Sequence, residues 1–202
     1  MNLKFRGRCR LVILTILLFT LLGSSVSVVQ SDAPFRVYLP VIFSPRIPLP
    51  DSSFESETAT WILFPSTEQL IYSQPDFPTG IVPRTGSHAA WLGYHSESDP
   101  TLQNSISQQI VIPSIVPHLS FWTQIQSKKI CGSTQSRLSV YVNGQLQWLK
   151  EPCKSVSFFD WSRQIVDLTQ FANQEVTLTI RVTLEAGDTA QIFLDDFEFS
   201  SN

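Results

Sequence analysis

From residue 51 onward, hydrophobic residues recur in short runs with a period of two, and the helical period is nearly absent. β-branched and aromatic residues make up these runs, and Pro, Gly, Asn and Ser bound them, which is typical of strands joined by turns. Asn143-Gly144, between two runs, is a strong hairpin signal. Strands are predicted near residues 53–56, 60–64, 69–73, 88–95, 104–112, 118–127, 136–143, 145–149, 162–168, 175–185 and 190–199. About ten strands at this spacing predict an all-β sandwich or barrel.

Alternation within the longer runs assigns side chains to faces. In each of three strands one face is predicted to be apolar, and these faces carry Leu119, Phe121 and Ile125, then Leu138, Val140 and Val142, then Val176, Leu178, Ile180 and Val182. The opposite faces of the same strands are predicted to carry Trp122, Gln124 and Gln126, then Ser139 and Tyr141, then Thr177, Thr179 and Arg181. Sheets with one apolar and one polar face predict a two-sheet antiparallel β-sandwich.

Residues 1–31 have the order of a secretory signal peptide. Four basic residues lie within the first ten, an apolar stretch of 12 residues runs from Leu11 to Leu22, and small residues follow. Cleavage is expected near Ser27, Ser31 or Ala33, which predicts a secreted or cell-surface protein. An uncleaved membrane anchor stays the alternative. A membrane-spanning helix needs about 20 residues, and the apolar stretch has only 12. Extended to residue 29, with four serines or glycines included, the stretch has 19 residues.

Residues 32–50 are predicted to form a Pro-rich linker, and residues 51–202 the folded domain. Five prolines in residues 32–50 forbid a helix and disfavour a central strand. An apolar piece, residues 37–43, lies inside the linker. It resembles a short segment that follows signal peptides in surface proteins of some filamentous bacteria. The other interpretation is an edge strand or tether that packs on the domain.

Composition narrows the classes of partner. The 202 residues are 43% hydrophobic and 15% charged, unlike a disordered chain, and the formal charge of −3 is unlike that of a nucleic-acid binder. Removing residues 1–31 takes four of the 14 basic residues and none of the 17 acidic ones, which moves the charge to −7. Nucleic acid and anionic membrane surfaces are therefore disfavoured partners. We expect no membrane contact apart from an uncleaved leader.

Cysteine usage agrees with export. Cys9 lies in the leader, which leaves Cys131 and Cys153 as an even pair, typical of a disulfide in an oxidising compartment. A bridge between them would close a loop of about 23 residues and stabilise the fold by roughly 3 kcal/mol. The alternative is half of a metal site, but the two cysteines lack the short C-x-x-C spacing and a nearby His.

An ordered set of segments covers residues 51–202. The segments are Asp51-Ser-Ser-Phe54-Glu55, Trp61, Gly86-Ser-His-Ala-Ala-Trp-Leu-Gly93, Ser107-Gln-Gln-Ile-Val-Ile-Pro113, Leu119-Ser-Phe-Trp122, Leu138-Ser-Val-Tyr-Val-Asn-Gly144, Trp161, Val166-Asp-Leu-Thr169 and Ile192-Phe-Leu-Asp-Asp-Phe-Glu-Phe199. In this order they resemble the jelly-roll modules related to carbohydrate-binding and MAM-type domains of secreted bacterial proteins. These modules have galactose-binding-like or concanavalin-like folds. The resemblance implies a jelly-roll β-sandwich whose first and last segments meet. Such modules bind sugars, mediate adhesion or accompany proteases.

The resemblance also implies a structural calcium ion where the first segment meets the last. The acidic positions of that pattern correspond to Glu55 and Asp195, with Asp196 or Asp51 as further ligands. Ca²⁺ takes six to eight oxygen ligands, so two or three carboxylates with backbone carbonyls suffice. Alternation supports a cation, because it sends one of the two adjacent aspartates toward a largely apolar face. The alternatives are a salt bridge to Arg181 or Arg163, or a solvated carboxylate.

Catalytic signatures are missing from the sequence, which has no H-E-x-x-H, G-x-S-x-G, Walker or Rossmann pattern. The three histidines are scattered. Asp196 and Glu198 alternate on one predicted strand and are the single candidate for a glycosidase carboxylate pair. A lone D-x-E pair is common by chance and more often lies at a solvated strand edge or assists a metal site, so we expect a protein that is not an enzyme.

Trp122 is the tryptophan that alternation places on a polar face, beside Gln124 and, if their strands are neighbours, Tyr141. A sugar ring would stack on such an aromatic side chain while the amide bonds its hydroxyls. The alternative is that a loop such as 74–87 folds over Trp122 and completes a minor core. The sequence thus predicts a glycan-binding module, with an adhesive domain that binds extracellular protein as the alternative.

Overall fold

The computed structural model describes residues 46–56, 60–93, 103–154 and 160–201. Eleven strands lie in these ranges: β1 (Arg46–Pro48), β2 (Ile62–Phe64), β3 (Ile71–Ser73), β4 (His88–Gly93), β5 (Gln103–Val111), β6 (His118–Gln126), β7 (Arg137–Val142), β8 (Gln145–Lys150), β9 (Ser162–Asp167), β10 (Glu175–Thr183) and β11 (Gln191–Ser200). Two 3₁₀ turns, Gln74–Asp76 and Thr169–Phe171, join them. The predicted signal peptide and the apolar piece at 37–43 lie outside the described residues.

The strands form two antiparallel sheets, which confirms the predicted all-β sandwich. The six-stranded sheet has the order β3-β4-β11-β6-β9, with β1 paired to β11 as well, and the five-stranded sheet has the order β2-β5-β10-β7-β8. The last strand, β11, is therefore central in one sheet, and β10 is central in the other. Within the described ranges, no helix is long and apolar enough to cross a membrane.

Alternation assigned the faces of these strands correctly. On β10, the four apolar side chains predicted to face inward are at most 2% exposed. Their neighbours on β10 lie on the outer face of the sheet, and β7 alternates in the same way. The predicted hairpin joins β7 to β8, where Asn143 (φ 50°) and Gly144 (φ 78°) both adopt the left-handed conformation that a two-residue hairpin turn requires.

The core contains an aromatic cluster that joins the two ends of the domain. Phe54, in the turn before β2, packs edge-on against Phe197 of β11, with ring centroids 5.9 Å apart. Trp61 lies 5.2 Å from the same ring, and Phe121 of β6 stacks on it at 5.2 Å. The first and last segments therefore meet, as the resemblance implied.

The folded part of the chain begins before residue 51. β1 lies in the predicted linker and pairs with β11, where Pro48 stands opposite Glu198. Leu49 is 3% exposed, so it belongs to the core. Residues 53–56, predicted as a strand, form a turn instead. The prolines misled the prediction, because an edge strand tolerates a residue without an N–H.

The predicted disulfide is present between Cys131 and Cys153. It links the segment after β6 to the segment after β8, 22 residues later. The bridge therefore ties the end of the β7–β8 hairpin to the six-stranded sheet through the chain that follows β6.

A β-bulge interrupts β11 next to the aromatic cluster. The register with β6 shifts between Asp195 and Glu198, and Asp196 adopts φ 49°. A bulge inserts an extra residue and re-aims the side chains around it. Asp195 stands opposite Trp122 on the outer side of the six-stranded sheet, while Phe197 points into the core.

Candidate functional site

The outer face of the six-stranded sheet is partly covered by residues 74–87, here called the cover segment. Phe77 and Ile81 of this segment pack on Trp91 of β4 and Phe193 of β11, forming a second apolar cluster. The indole N–H of Trp161 donates to the backbone oxygen of Val82. The cover segment therefore completes a minor core over this part of the face, which is the alternative given for residues 74–87 in the sequence analysis.

Trp122 lies at the border of the covered region and is half-buried. The guanidinium carbon of Arg84, from the cover segment, lies 3.9 Å from the centroid of its ring. A cavity of about 200 Å³ adjoins this pair, and its lining includes Trp122, Arg46, Arg84, Asp196 and Glu198. We call it the Trp122 cavity. It combines an indole with charged groups of both signs.

Ion pairs hold the charged groups of the Trp122 cavity. Arg84 pairs with Asp196. Glu198 forms an ion pair with Arg46 at 3.4 Å and accepts a hydrogen bond from Arg163 at 3.2 Å. These pairs orient hydrogen-bonding groups next to the indole. They leave bonding capacity for a ligand, because a guanidinium has five donors and a carboxylate has about four acceptor sites.

Arg84 is the basic residue that the sequence interpretation missed. The predicted partners of the adjacent aspartates were Arg181 and Arg163, but Arg163 pairs with Glu198 and Arg181 lies on the other sheet. Arg84 belongs to an irregular segment without periodicity, so no sequence signal placed it beside Asp196.

The three predicted ligand-binding residues do not form one surface. Trp122 borders the cavity, but Gln124, two residues further along β6, is only 2% exposed. Tyr141 lies on β7 of the five-stranded sheet, whereas β6 belongs to the six-stranded sheet. Their strands are therefore not neighbours, and the condition that would have joined Tyr141 to Trp122 fails.

Tyr141 lies on the outer face of the five-stranded sheet. The guanidinium carbon of Arg181, on the neighbouring strand β10, lies 4.6 Å from its ring centroid. Thr179 stands directly opposite Tyr141, and Ser139 opposite Arg181. This second surface is separate from the Trp122 cavity.

Asp195, a predicted metal ligand, is completely buried beneath the cover segment. Its Oδ2 accepts from the backbone N–H groups of Arg84 (2.8 Å) and Thr85 (3.1 Å), and its Oδ1 accepts from that of Asp196 (2.8 Å). Burial raises the pKa of Asp195 to about 7; the N–H of Thr85 opposes this shift, and the charge of Asp196 adds to it.

Glu55 contacts the C-terminal end of the cover segment. Its Oε1 accepts from the N–H groups of Ser87 (2.8 Å) and His88 (2.7 Å). Partial burial by itself raises the pKa of Glu55, but these hydrogen bonds outweigh it and lower the pKa below its ordinary value. A Cβ atom at Gly86 would lie 2.3 Å from Oε1 of Glu55, so this close approach requires glycine.

Asp51, the fourth predicted metal ligand, accepts from the N–H of Ser56 and the hydroxyl of Thr60. Among the described residues, no group of three or more His, Cys, Asp or Glu side chains is arranged to hold a metal ion. The carboxylates instead accept hydrogen bonds from the chain, so a bound calcium would have to replace several of these donors. Calcium stays a prediction.

The candidate catalytic pair, Asp196 and Glu198, does line one cavity. A glycosidase needs one such carboxyl as a proton donor. Both carboxylates instead form ion pairs with guanidinium groups. Asp196 pairs with Arg84, and Glu198 pairs with Arg46 and Arg163. The pair therefore fits ligand orientation better than acid catalysis.

Comparison with solved structures places this fold among binding and catalytic proteins. The carbohydrate-binding module TmCBM61, in complex with β-1,4-galactotriose, matches 77% of this chain and 99% of its own with 20% identity and a TM-score of 0.53. The K2 cleaved adhesin domain of Lys-gingipain matches 77% and 99% with 13% identity and a TM-score of 0.54. A cyclase from Fischerella sp. TAU matches 78% and 97% with 11% identity and a TM-score of 0.50.

These likenesses confirm, at the level of the fold, the predicted resemblance to jelly-roll carbohydrate-binding-like modules. No protein-family model and no curated sequence matches the chain. Because a binding module, an adhesin domain and a cyclase share the architecture, the fold alone does not decide the function.

Proposed function

We propose that this chain is a secreted or cell-surface binding module without catalytic activity, and that its ligand is a carbohydrate. The Trp122 cavity carries the proposal, because it places an indole beside ion-paired donors and acceptors. The likeness to a module bound to β-1,4-galactotriose supports it. The predicted leader and the disulfide support an extracellular location.

Binding at this cavity would combine two kinds of contact. The exposed part of the Trp122 ring offers an apolar surface for the C–H groups of a sugar. Asp196, Glu198 and Arg46 would exchange hydrogen bonds with its hydroxyls. Since ion pairs already hold these groups, ordering them on binding costs little free energy.

Replacing Trp122 by alanine is expected to weaken binding of the best glycan on a neutral glycan array at least tenfold, about 1.4 kcal/mol. The measurement is titration calorimetry on the purified protein, with circular dichroism to show an intact fold. Ile165→Ala is the control: it shortens a side chain on the same outer face, outside the lining of the cavity. Equal affinity of the Trp122→Ala variant and the unaltered protein would refute the site.

The second candidate function is adhesion through protein contacts. The likeness to the adhesin domain of Lys-gingipain supports it, and so do exposed apolar side chains at the edge of the five-stranded sheet, Ile62 at 67% and Phe64 at 54%. Absence of binding to every glycan, together with binding to an extracellular protein that Ile62→Ser weakens, would favour this function.

We retain the structural calcium ion as part of the proposal on grounds of charge. Glu55, Asp195 and Asp196 contact the cover segment, and among the described residues Arg84 is the cationic side chain of that segment that pairs with one of them. A divalent cation would reduce the remaining repulsion between carboxylates.

Removal of calcium is expected to lower the melting temperature of the protein. A ligand that binds only the native state stabilises it by about 2.7 kcal/mol at a hundred times its dissociation constant. The experiment compares melting in about 1 mM CaCl₂ with melting in EDTA; this concentration is about a hundred times a dissociation constant of about 10 μM. Glu55→Gln should reduce the difference and the exposed Asp160→Asn should not; identical melting in both buffers would rule the ion out.

A further inference from the structure

The outer face of the five-stranded sheet has a regular arrangement of side chains. The registers of its strands define two adjacent rows that cross the sheet. One row is Phe64, Ser105, Arg181, Ser139 and Leu149, and the other is Ile62, Ser107, Thr179, Tyr141 and Leu146. Each row has apolar side chains at its ends. Between them, the first row has Arg181 flanked by two buried serines, and the second has Ser107, Thr179 and Tyr141, which are partly exposed. Five strands give each row a length of about 19 Å.

Arg181 is the charged residue in the middle of this face. Its guanidinium lies over the ring of Tyr141, at 4.6 Å. Among the residues that the structure describes, it forms no ion pair, and its buried Nε has no hydrogen-bond partner. By contrast, the described arginines around the Trp122 cavity each face a carboxylate. Within the described ranges, no carboxylate therefore compensates the positive charge of Arg181.

The charges on this face have the opposite balance to those of the whole chain. Arg137 lies on β7 next to Arg181, opposite Thr183. The acidic residue on the outward side of the five strands is Glu175, six positions from Arg181 and so about 20 Å away along β10. The formal charge of the chain is −3. At physiological ionic strength the Debye length is about 8 Å. An anion bound on this face is therefore attracted by the nearby arginines, whereas the acidic residues far from the face are screened by salt.

We propose that this face binds an acidic polysaccharide, with the carboxylate of a uronate residue on Arg181. A guanidinium presents a planar fork of donors that matches a carboxylate, and stacking on Tyr141 holds that fork in place. The partly exposed hydroxyls of Ser107 and Thr179 lie in the row beside Arg181 and suit the hydroxyls of a sugar chain. The inference rests on the proposed carbohydrate-binding function and adds a second surface with a defined ligand class.

The test uses polygalacturonate, alginate and hyaluronate, measured by titration calorimetry on the purified protein in EDTA. At least one polymer should bind, and Arg181→Gln should weaken that binding at least tenfold. Lys154→Gln, which removes the same charge at an exposed position elsewhere, should stay within twofold. Melting curves establish that both variants fold. Methyl-esterified polygalacturonate, which keeps the backbone and masks the carboxylates, should not bind.

Several outcomes would overturn the inference. Binding of none of the three polymers excludes an acidic polysaccharide, and a protein partner would then be the better explanation of the exposed face. Equal affinity of Arg181→Gln and the unaltered protein, or equal binding of the esterified polymer, excludes the carboxylate contact. If Trp122→Ala abolishes neutral-glycan binding while Arg181→Gln has no effect on acidic polymers, the proposed function stands and this inference alone fails.

Discussion

Replacing Phe197 by alanine is expected to lower the free energy of unfolding by about 3–5 kcal/mol. Phe197 is fully buried, and its ring contacts those of Phe54, Trp61 and Phe121 at 5.2–5.9 Å. These rings come from the first turn, from β6 and from β11, so the substitution leaves a cavity where three separate parts of the chain meet. Urea unfolding followed by tryptophan fluorescence measures the effect.

The control for Phe197→Ala is Ile62→Ala, also a large-to-small change. Ile62 is 67% exposed, so we expect a loss of less than about 1 kcal/mol. A similar loss for the two variants would contradict the arrangement of the core, because it would mean that Phe197 is not enclosed by the aromatic cluster.

Metal-free protein is expected to lose up to about 4 kcal/mol of stability as the pH rises from 4 to 8, through Asp195. The folded-state pKa of Asp195 is about 7, raised from an ordinary value of 3.8 by burial. The folded state therefore binds the proton more tightly than the unfolded state does. This contribution is fully present below pH 3.8, declines as the pH rises through 7 and is absent above that. The magnitude follows from about 1.4 kcal/mol for each pKa unit.

The measurement is urea unfolding in EDTA at several pH values between 4 and 8. Asp195→Asn should flatten the decline, because the amide does not titrate in this range, whereas the exposed Asp160→Asn should leave the decline unchanged. Comparison of slopes keeps the test independent of any constant cost of the substitution itself. Identical slopes for Asp195→Asn and the unaltered protein would show that Asp195 is ionised in the fold without penalty.

The strands and their inward faces could be predicted from the sequence, because they depend on local physics. Side chains in a strand alternate between faces, so the positions of Leu178 and Ile180 in the core follow from the spacing of apolar residues alone. The hairpin at Asn143-Gly144 follows from the residues that tolerate positive φ. The Cys131–Cys153 bridge follows from there being one pair in the predicted exported part of the chain.

The composition of the candidate site could not be predicted in the same way. Alternation assigns Trp122 and Tyr141 to outer faces, but it does not say which sheet each strand joins, since strand pairing is a long-range property. The two residues consequently lie on opposite sides of the sandwich. Tyr141 is left with Arg181, and Trp122 with Arg84.

The sequence by itself determined an all-β chain with alternating faces, a hairpin and a disulfide, and its resemblance to jelly-roll modules implied an opening segment that meets the closing one. Only the tertiary structure decided that a bulge after Asp195 brings Phe197 into the core, and that Arg84 reaches both Asp196 and Trp122. The reason is physical. Periodicity follows from the geometry of a single strand, whereas irregular segments and bulges take their positions from contacts between residues more than a hundred positions apart.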